Sequence, residues 1–351
     1  MSRIVILTEG RSNPLDAKTA SGVVRYRPDE VVAFLDSTQK GKTVGEIFGV
    51  GGSKPFIATL SEVEADTLLI GIAPSGGGLP PSWMPILREA IERKMTVVSG
   101  LHYFLADDPE LGPLAKKHGA KIHDVRKPPE GLTVSGNWAK DLPCCRVHTV
   151  GNDCNVGKML TAIEVAAGLK KRGRRAEFVA TGQTGIMISG WGMPIDRVVS
   201  DFVAGAIETL MIEHQSAEFL LIEGQGSLIH PLFSGVTLGL LHGCAPQALI
   251  LCWEAGRTDM RHARMSMPPM RDVIRLYETM ANVIRPCRVI GLSVNTRTLT
   301  ALEAEKAVRA AEEEFGLPST DVVRYGAEKL VDASIEAHEL FVPRGDVSAK
   351  K

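Results

Sequence analysis

Short apolar runs recur along the chain, each followed by a longer stretch whose apolar positions repeat at helical spacing. That alternation predicts strand–helix–strand units with right-handed crossovers and doubly wound parallel sheets. Residues 3–7 predict a first strand, residues 28–36 a helix with Pro28 at an early helical position, and residues 67–73 (TLLIGIA) a strand buried on both faces. Helical spacing returns over 83–94. A strand is expected at 96–99, a helix at 111–118 and a strand at 121–125.

Residues 126–143 carry Pro128, Pro129 and Pro143 without a clear period, which predicts a linker. Beyond it the pattern resumes with strands at 146–150, 177–180, 219–222, 248–252 and 288–294. Helices are expected at 158–171 and 299–315, the second stopped by Gly316 and Pro318. The expected organisation is an α/β domain over 1–130, a linker over 131–145, a second α/β domain over 146–343 and a flexible tail over 344–351.

A chain of 351 residues is long for one core, which agrees with two domains. The formal net charge of −1 leaves no surplus of lysine or arginine to displace counterions, so nucleic-acid binding is not expected. The six cysteines include no C-x-x-C pair and no zinc spacing, so they read as reduced thiols and no metal site is expected. The first apolar run stops at Thr8-Glu9-Gly10, short for a signal peptide, and no run approaches the ~20 residues that cross a bilayer. The expectation is a cytoplasmic, non-membrane protein that forms a homo-oligomer.

The strongest motif follows the strand at 146–150: Gly151-Asn152-Asp153-Cys154-Asn155-Val156-Gly157-Lys158, then a helix. Successive N–H groups of such a turn, with the helix N-terminus, make an anion cradle, and Lys158 would aim its ammonium at the same phosphates. A phosphoryl-transfer loop next places Ser or Thr on Mg²⁺. Here the position is Met159, a thioether that hard Mg²⁺ does not accept. Thr161 lies ~200° further round the helix and is a poor substitute. A cradle without the metal hydroxyl suits holding a pyrophosphate, such as that of coenzyme A, better than cleaving one.

Other candidates stand at strand ends, where open α/β sheets bind ligands. Glu223, closing the run at 219–222, suits a general base or a metal ligand, or caps a neighbouring turn. His230 follows as a proton shuttle or a structural histidine. Thr181, Gln183 and Thr184 lie in a Gly-containing turn fit for a polar substrate. Arg197 and Arg257 suit substrate carboxylates, and Asn295 suits a nucleotide base. In the first domain Gly76-Gly77-Gly78, Gly49-Val-Gly51-Gly52 and His102 are weaker candidates, and the partial fingerprint does not predict NAD binding.

GNDCNVGK with the later IEGQG resembles the phosphate loop and acidic strand of the dethiobiotin synthetase-like P-loop group. With LLIGIAPSGGGLP, SGLHYFLADDPEL and DVRKPP, nearly the whole chain resembles a two-domain family that joins a Rossmann-like N-terminal domain to a P-loop NTPase-type C-terminal domain. One branch of that family comprises D-glutamate N-acetyltransferases of D-amino-acid catabolism, with acetyl-CoA as co-substrate. The resemblance implies acetylation of D-glutamate or a close acidic amino acid. Lys158 and the loop from Gly151 to Met159 would then hold coenzyme A, and Glu223, with His230, would take the substrate's proton. The rivals are an ATP/Mg-dependent ligase or carboxylase of dethiobiotin synthetase type, and a non-catalytic nucleotide sensor.

Overall fold

The computed structural model describes residues 2–14, 16–72 and 78–341. Gly76, Gly77 and the tail 344–351 lie outside the described residues. The chain divides into two compact units, Met1–Pro128 with Ile186–Gly190, and Pro129–Gly185 with Trp191–Lys351.

In the first unit β1 (Ile4–Leu7), β2 (Val31–Leu35), β3 (Phe56–Ile57), β4 (Thr67–Ile70), β5 (Thr96–Ser99) and β6 (Ile122–Asp124) form one sheet in the order β3-β2-β1-β4-β5-β6. Every pairing is parallel. The order reverses between β1 and β4, as in doubly wound Rossmann folds. The crossovers include α1 (Lys18–Tyr26), α2 (Val44–Phe48), α3 (Met84–Glu92) and α4 (Leu111–His118). Asp108 Oδ1 accepts the N–H groups of Glu110 and Leu111 at 2.8 Å, at the start of α4. Gly49 and Gly51 belong to the turn between α2 and β3, not to the first strand-to-helix turn.

The helix expected at 28–36 is instead a turn followed by β2. Val-Val-Ala-Phe-Leu contains no polar position to face water from a helix, and four of its five residues are buried. In an interior parallel strand both faces are covered, so the continuous apolar run is satisfied there.

The second unit repeats the architecture with β7 (Cys145–Gly151), β8 (Ala176–Val179), β9 (Phe219–Ile222), β10 (Ala248–Glu254), β11 (Arg288–Asn295) and β12 (Ser319–Thr320), ordered β12-β11-β10-β7-β9-β8. All of its pairings are parallel. The helices are α5 (Lys158–Lys171), α7 (Val203–Glu213), α8 (Ser234–Cys244), α9 (Met270–Asn282), α10 (Ala301–Phe315) and α11 (Glu328–Phe341), with α6 (Gln183–Ser189) beginning in this unit and ending in residues assigned to the first. One core gathers Val150, Leu249, Leu251 and Leu292 of the sheet under Val273 and Tyr277 of α9 and Val308 of α10. Another packs Ile207 and Met211 of α7 with Leu240 of α8 against Leu220 and Ile222 of β9. Thr300 and Glu303 close a capping box on α10, and Gly316 ends it at φ +66°.

The proline-marked segment before β7 is bound into this second unit. Glu208 of α7, buried, accepts the N–H groups of Gly136, Trp138 and Ala139 at 2.5–3.2 Å, and Ala139 and Leu142 join the core. Among the described residues no helix is long and apolar enough to cross a membrane.

Candidate functional site

β7 is the central strand of its sheet, paired with β9 on one side and β10 on the other, so the turn after it opens between two neighbouring strand ends. That turn is the glycine loop. Asn155 takes φ +56° and Gly157 φ +112° at the N-cap of α5, and no side chain caps the helix. A conformation at +112° suits only glycine, and the uncapped N–H groups of α5 are left to face an anion. Lys158 is buried and donates from Nζ to the Asp153 carbonyl at 2.7 Å. Burial pushes its ammonium pKa down, against the fields of Asp153 and Glu223.

The loop is braced from three sides. Tyr277 of α9 donates its hydroxyl to the Gly151 carbonyl at 2.8 Å and accepts the Leu228 N–H at 3.1 Å. A Cβ at Gly224, just after β9, would collide with the Thr149 carbonyl and lie 2.9 Å from Lys158 Cδ, so glycine there lets the lysine stem pass. The fully buried Asp153 carboxylate takes the Cys154 N–H at 2.7 Å, the Arg261 N–H at 3.0 Å and Arg257 Nη1 at 2.9 Å. Burial pushes its pKa up, but those hydrogen bonds outweigh it and hold the carboxyl below the ordinary value.

Several expected ligand contacts are engaged within the protein. The Arg257 guanidinium, expected to meet a substrate carboxylate, bonds Asp153, the Cys154 carbonyl and Glu254 of β10. His230, expected as a proton shuttle, is fully buried. Its Nδ1 accepts the Leu232 N–H at 3.3 Å, so Nε2 carries the proton and donates to the Arg261 carbonyl at 2.7 Å. Glu223 lies at the end of β9, buried, and Oε2 accepts the N–H groups of Thr181 at 2.9 Å and Gly182 at 3.1 Å. This fixes the carboxylate at the start of α6, which holds Gln183 and Thr184 on a helix rather than in a plain turn.

Thr181 spends its hydroxyl on the Glu223 carbonyl at 2.7 Å and accepts Gln225 Nε2 at 3.0 Å. Its own carbonyl takes the Ile195 N–H at 3.1 Å, so the short turn Ile195–Arg197 is tied to the same strand end. Arg197 is exposed there. Asn295, at the end of β11, accepts the Arg297 N–H at 3.2 Å, and its Nδ2 lies 4.0 Å from where a Cβ on Gly157 would stand. Thr161 faces inward, bonded to Ser293 at 2.7 Å. Met159 is half-buried in the first turn of α5. Cys154 is half-buried; burial, then Asp153, push its thiol pKa up, which keeps it protonated and a poor acyl carrier.

Asp153, Cys154 and His230 bring potential ligand atoms within 4.8 Å of one another. Hydrogen bonds already occupy both histidine nitrogens and both aspartate oxygens. The cluster is a bracing network as it stands.

Sequence reasoning overlooked Gln225, Glu254, Arg261 and Tyr277. Glu254 shared a signal with the residues it did find, since it sits beside Asn295 in the β10–β11 register at the end of its strand. Tyr277 and Arg261 come from segments whose approach to the loop is a tertiary matter.

A glycine loop at the end of a central parallel strand, feeding an uncapped helix with an inward lysine, defines a P-loop domain; the companion unit is a Rossmann-like domain. The chain belongs to the DUF1611 family: residues 133–331 match the domain of unknown function (DUF1611_C) P-loop domain, and residues 37–128 the domain of unknown function (DUF1611_N) Rossmann-like domain. It is 39% identical over 323 residues to a protein of Tritonibacter scottomollicae named D-glutamate N-acetyltransferase, covering 91% of this chain and 94% of that one. It is 37% identical over 322 residues to a Pseudoalteromonas protein of the same name, covering 91% and 95%. The crystal structure of a DUF1611 family protein from Anabaena variabilis matches with a TM-score of 0.91 at 40% identity, over 96% of this chain and 100% of that one. With these relatives, the chain is an enzyme of the N-acetyltransferase class.

Proposed function

We propose that the protein acetylates the amino group of D-glutamate, or a closely related acidic amino acid, with acetyl-CoA as donor. The names of the two relatives support the substrates. The observation that carries the donor assignment is the loop itself: an uncapped α5 and a buried Lys158, beside a thioether at Met159. Main-chain N–H groups and one ammonium suit a diphosphate, and nothing at position 159 invites the Mg²⁺ that ATP chemistry needs. The ATP-dependent ligase reading is the weaker for that reason.

In this reading the loop from Gly151 to Lys158 holds the coenzyme A phosphates, with Asn295 toward the adenine. Glu223, oriented by its bonds to Thr181 and Gly182, takes the proton from the substrate ammonium. The free amine attacks the thioester carbonyl, the C–S bond breaks, and coenzyme A leaves as the thiol after picking up a proton. Arg197 is the candidate for a substrate carboxylate, since the Arg257 guanidinium is committed to the loop.

The test is coenzyme A release from acetyl-CoA with D- and L-glutamate, for wild type and Lys158→Ala. Release with D-glutamate that collapses in Lys158→Ala supports the assignment. Hydrolysis of Mg·ATP with acetyl-CoA left untouched would overturn it.

A further inference from the structure

Arg261 is held in an unusual way. Its backbone N–H donates to Asp153 Oδ2 at 3.0 Å, and its carbonyl accepts from His230 Nε2 at 2.7 Å. Both partners are fully buried, one in the phosphate loop and the other in the turn after β9. Buried polar side chains must be hydrogen-bonded somewhere, and here two of them are spent on the main chain of one residue. The segment is further folded on itself: Met260 N–H donates to the Met265 carbonyl at 3.0 Å, and Met267 N–H to the Thr258 carbonyl at 2.7 Å. Immediately afterwards His262 adopts φ +61°, a left-handed turn that a non-glycine residue rarely takes.

The side chain that leaves this clamped point is half-buried. Among the described residues its guanidinium makes no hydrogen bond or ion pair, unlike that of Arg257, which carboxylates flank on two sides. The backbone bond to Asp153 roots it directly beside the glycine loop. A guanidinium with a fixed root, no internal anion and a place beside a phosphate cradle is pre-organised for a phosphoryl group.

We propose that Arg261 contacts a phosphate of the acyl donor, and that His230 and Asp153 are positioning residues that hold it there. The inference rests on the reading that the loop binds the donor's phosphates, and it assigns His230 a task other than moving a proton. An anion at this place could instead be the carboxylate of the amino acid, and kinetics separate the two.

The variants are Arg261→Met, Arg261→Lys and His230→Phe, assayed against acetyl-CoA and the amino acid in turn. Arg261→Met is expected to raise KM for acetyl-CoA by about tenfold while KM for the amino acid and the melting temperature stay near wild type. Arg261→Lys should recover part of the loss, because a point charge replaces the fork. His230→Phe should shift the same KM and add little to Arg261→Met in the double variant. Acetyl-pantetheine, which has no diphosphate, should be used equally by wild type and Arg261→Met. A rise in KM for the amino acid alone, or no change in either, overturns the proposal.

Calorimetry with inorganic pyrophosphate isolates the inference from the acetyl-transfer reading. If wild type binds pyrophosphate about tenfold more tightly than Arg261→Met yet transfers no acetyl group, Arg261 stands and the reaction assignment falls. If wild type transfers acetyl groups while both bind pyrophosphate equally, the reaction stands and Arg261 falls.

Discussion

Arg257 Nη1 lies 2.9 Å from Asp153 Oδ2, so an arginine from the end of β10 neutralises a carboxylate inside the phosphate loop. The glycine loop carries a negative charge of its own, turned away from water and matched by a guanidinium and two main-chain N–H groups. The pair sets the shape of the loop, and its charges cancel locally. The Lys158 ammonium, with the field of Glu223 on it, and the uncapped helix then remain at the loop.

Arg257→Ala leaves Asp153 buried with its two main-chain donors only. Stability should fall by about 3–5 kcal/mol, because the buried charge loses its counter-ion. Urea denaturation reads that loss, and Asp153→Asn in the same background should restore part of it. An Arg257 that served the substrate would instead raise KM for the amino acid with stability unchanged.

Glu223→Gln separates a base from a cap. The Gln carbonyl oxygen can still accept the Thr181 and Gly182 N–H groups, so the melting temperature should move little. Loss of the proton acceptor should lower kcat by about 10²–10⁴-fold. A kcat near wild type would leave Glu223 as the brace of the turn before α6.

Much of this was legible in the chain. The buried strands Thr67–Ile70, shorter than the expected 67–73, and Phe219–Ile222 read directly from apolar runs, since parallel strands buried on both faces leave that mark, and the helix Lys158–Lys171 read from its spacing after the glycine loop. The glycine loop was legible because its conformation demands particular residues. The same cue failed at 28–36, where β2 and a short helix share one apolar signature. α7 (VAGAIETLMIE) went unseen because its exposed face carries Ile212 and its buried face Glu208, which blurs the helical stripe. In the site, residue type did not reveal the internal partners: Arg257 bonds Asp153, and His230 bonds the Arg261 carbonyl. A sequence shows that an arginine is present, while its partners depend on which distant segment reaches it.

Met159→Thr restores the hydroxyl that Mg·nucleotide loops use. Wild-type acetyl transfer should be unaffected by EDTA, and wild type should bind Mg·ATP weakly. The variant should bind it at least about tenfold more tightly in calorimetry, with one added metal ligand. Strong inhibition of wild-type acetyl transfer by EDTA would mean that a metal enters without position 159.

His148 supplies a pH test independent of the ligand. It lies in the middle of β7, fully buried, with Nδ1 bonded to the Ile222 carbonyl at 3.2 Å and Nε2 without a partner among the described residues. Burial, reinforced by the Lys158 ammonium and only partly opposed by the Ile222 bond, lowers its pKa from 6.5 to about 4. Below pH ~6.5 the unfolded chain takes up a proton that the folded protein refuses until about pH 4, so stability must fall as pH drops through that window. Between pH 7 and 5 the loss from this residue is about 2 kcal/mol, and above pH 7 it vanishes. His148→Asn keeps a donor for Ile222 and does not titrate. Urea denaturation at pH 7 and pH 5 should therefore show a smaller drop in the variant than in wild type, by about that amount. Equal drops in the two proteins would mean that His148 reaches solvent and protonates in the folded state.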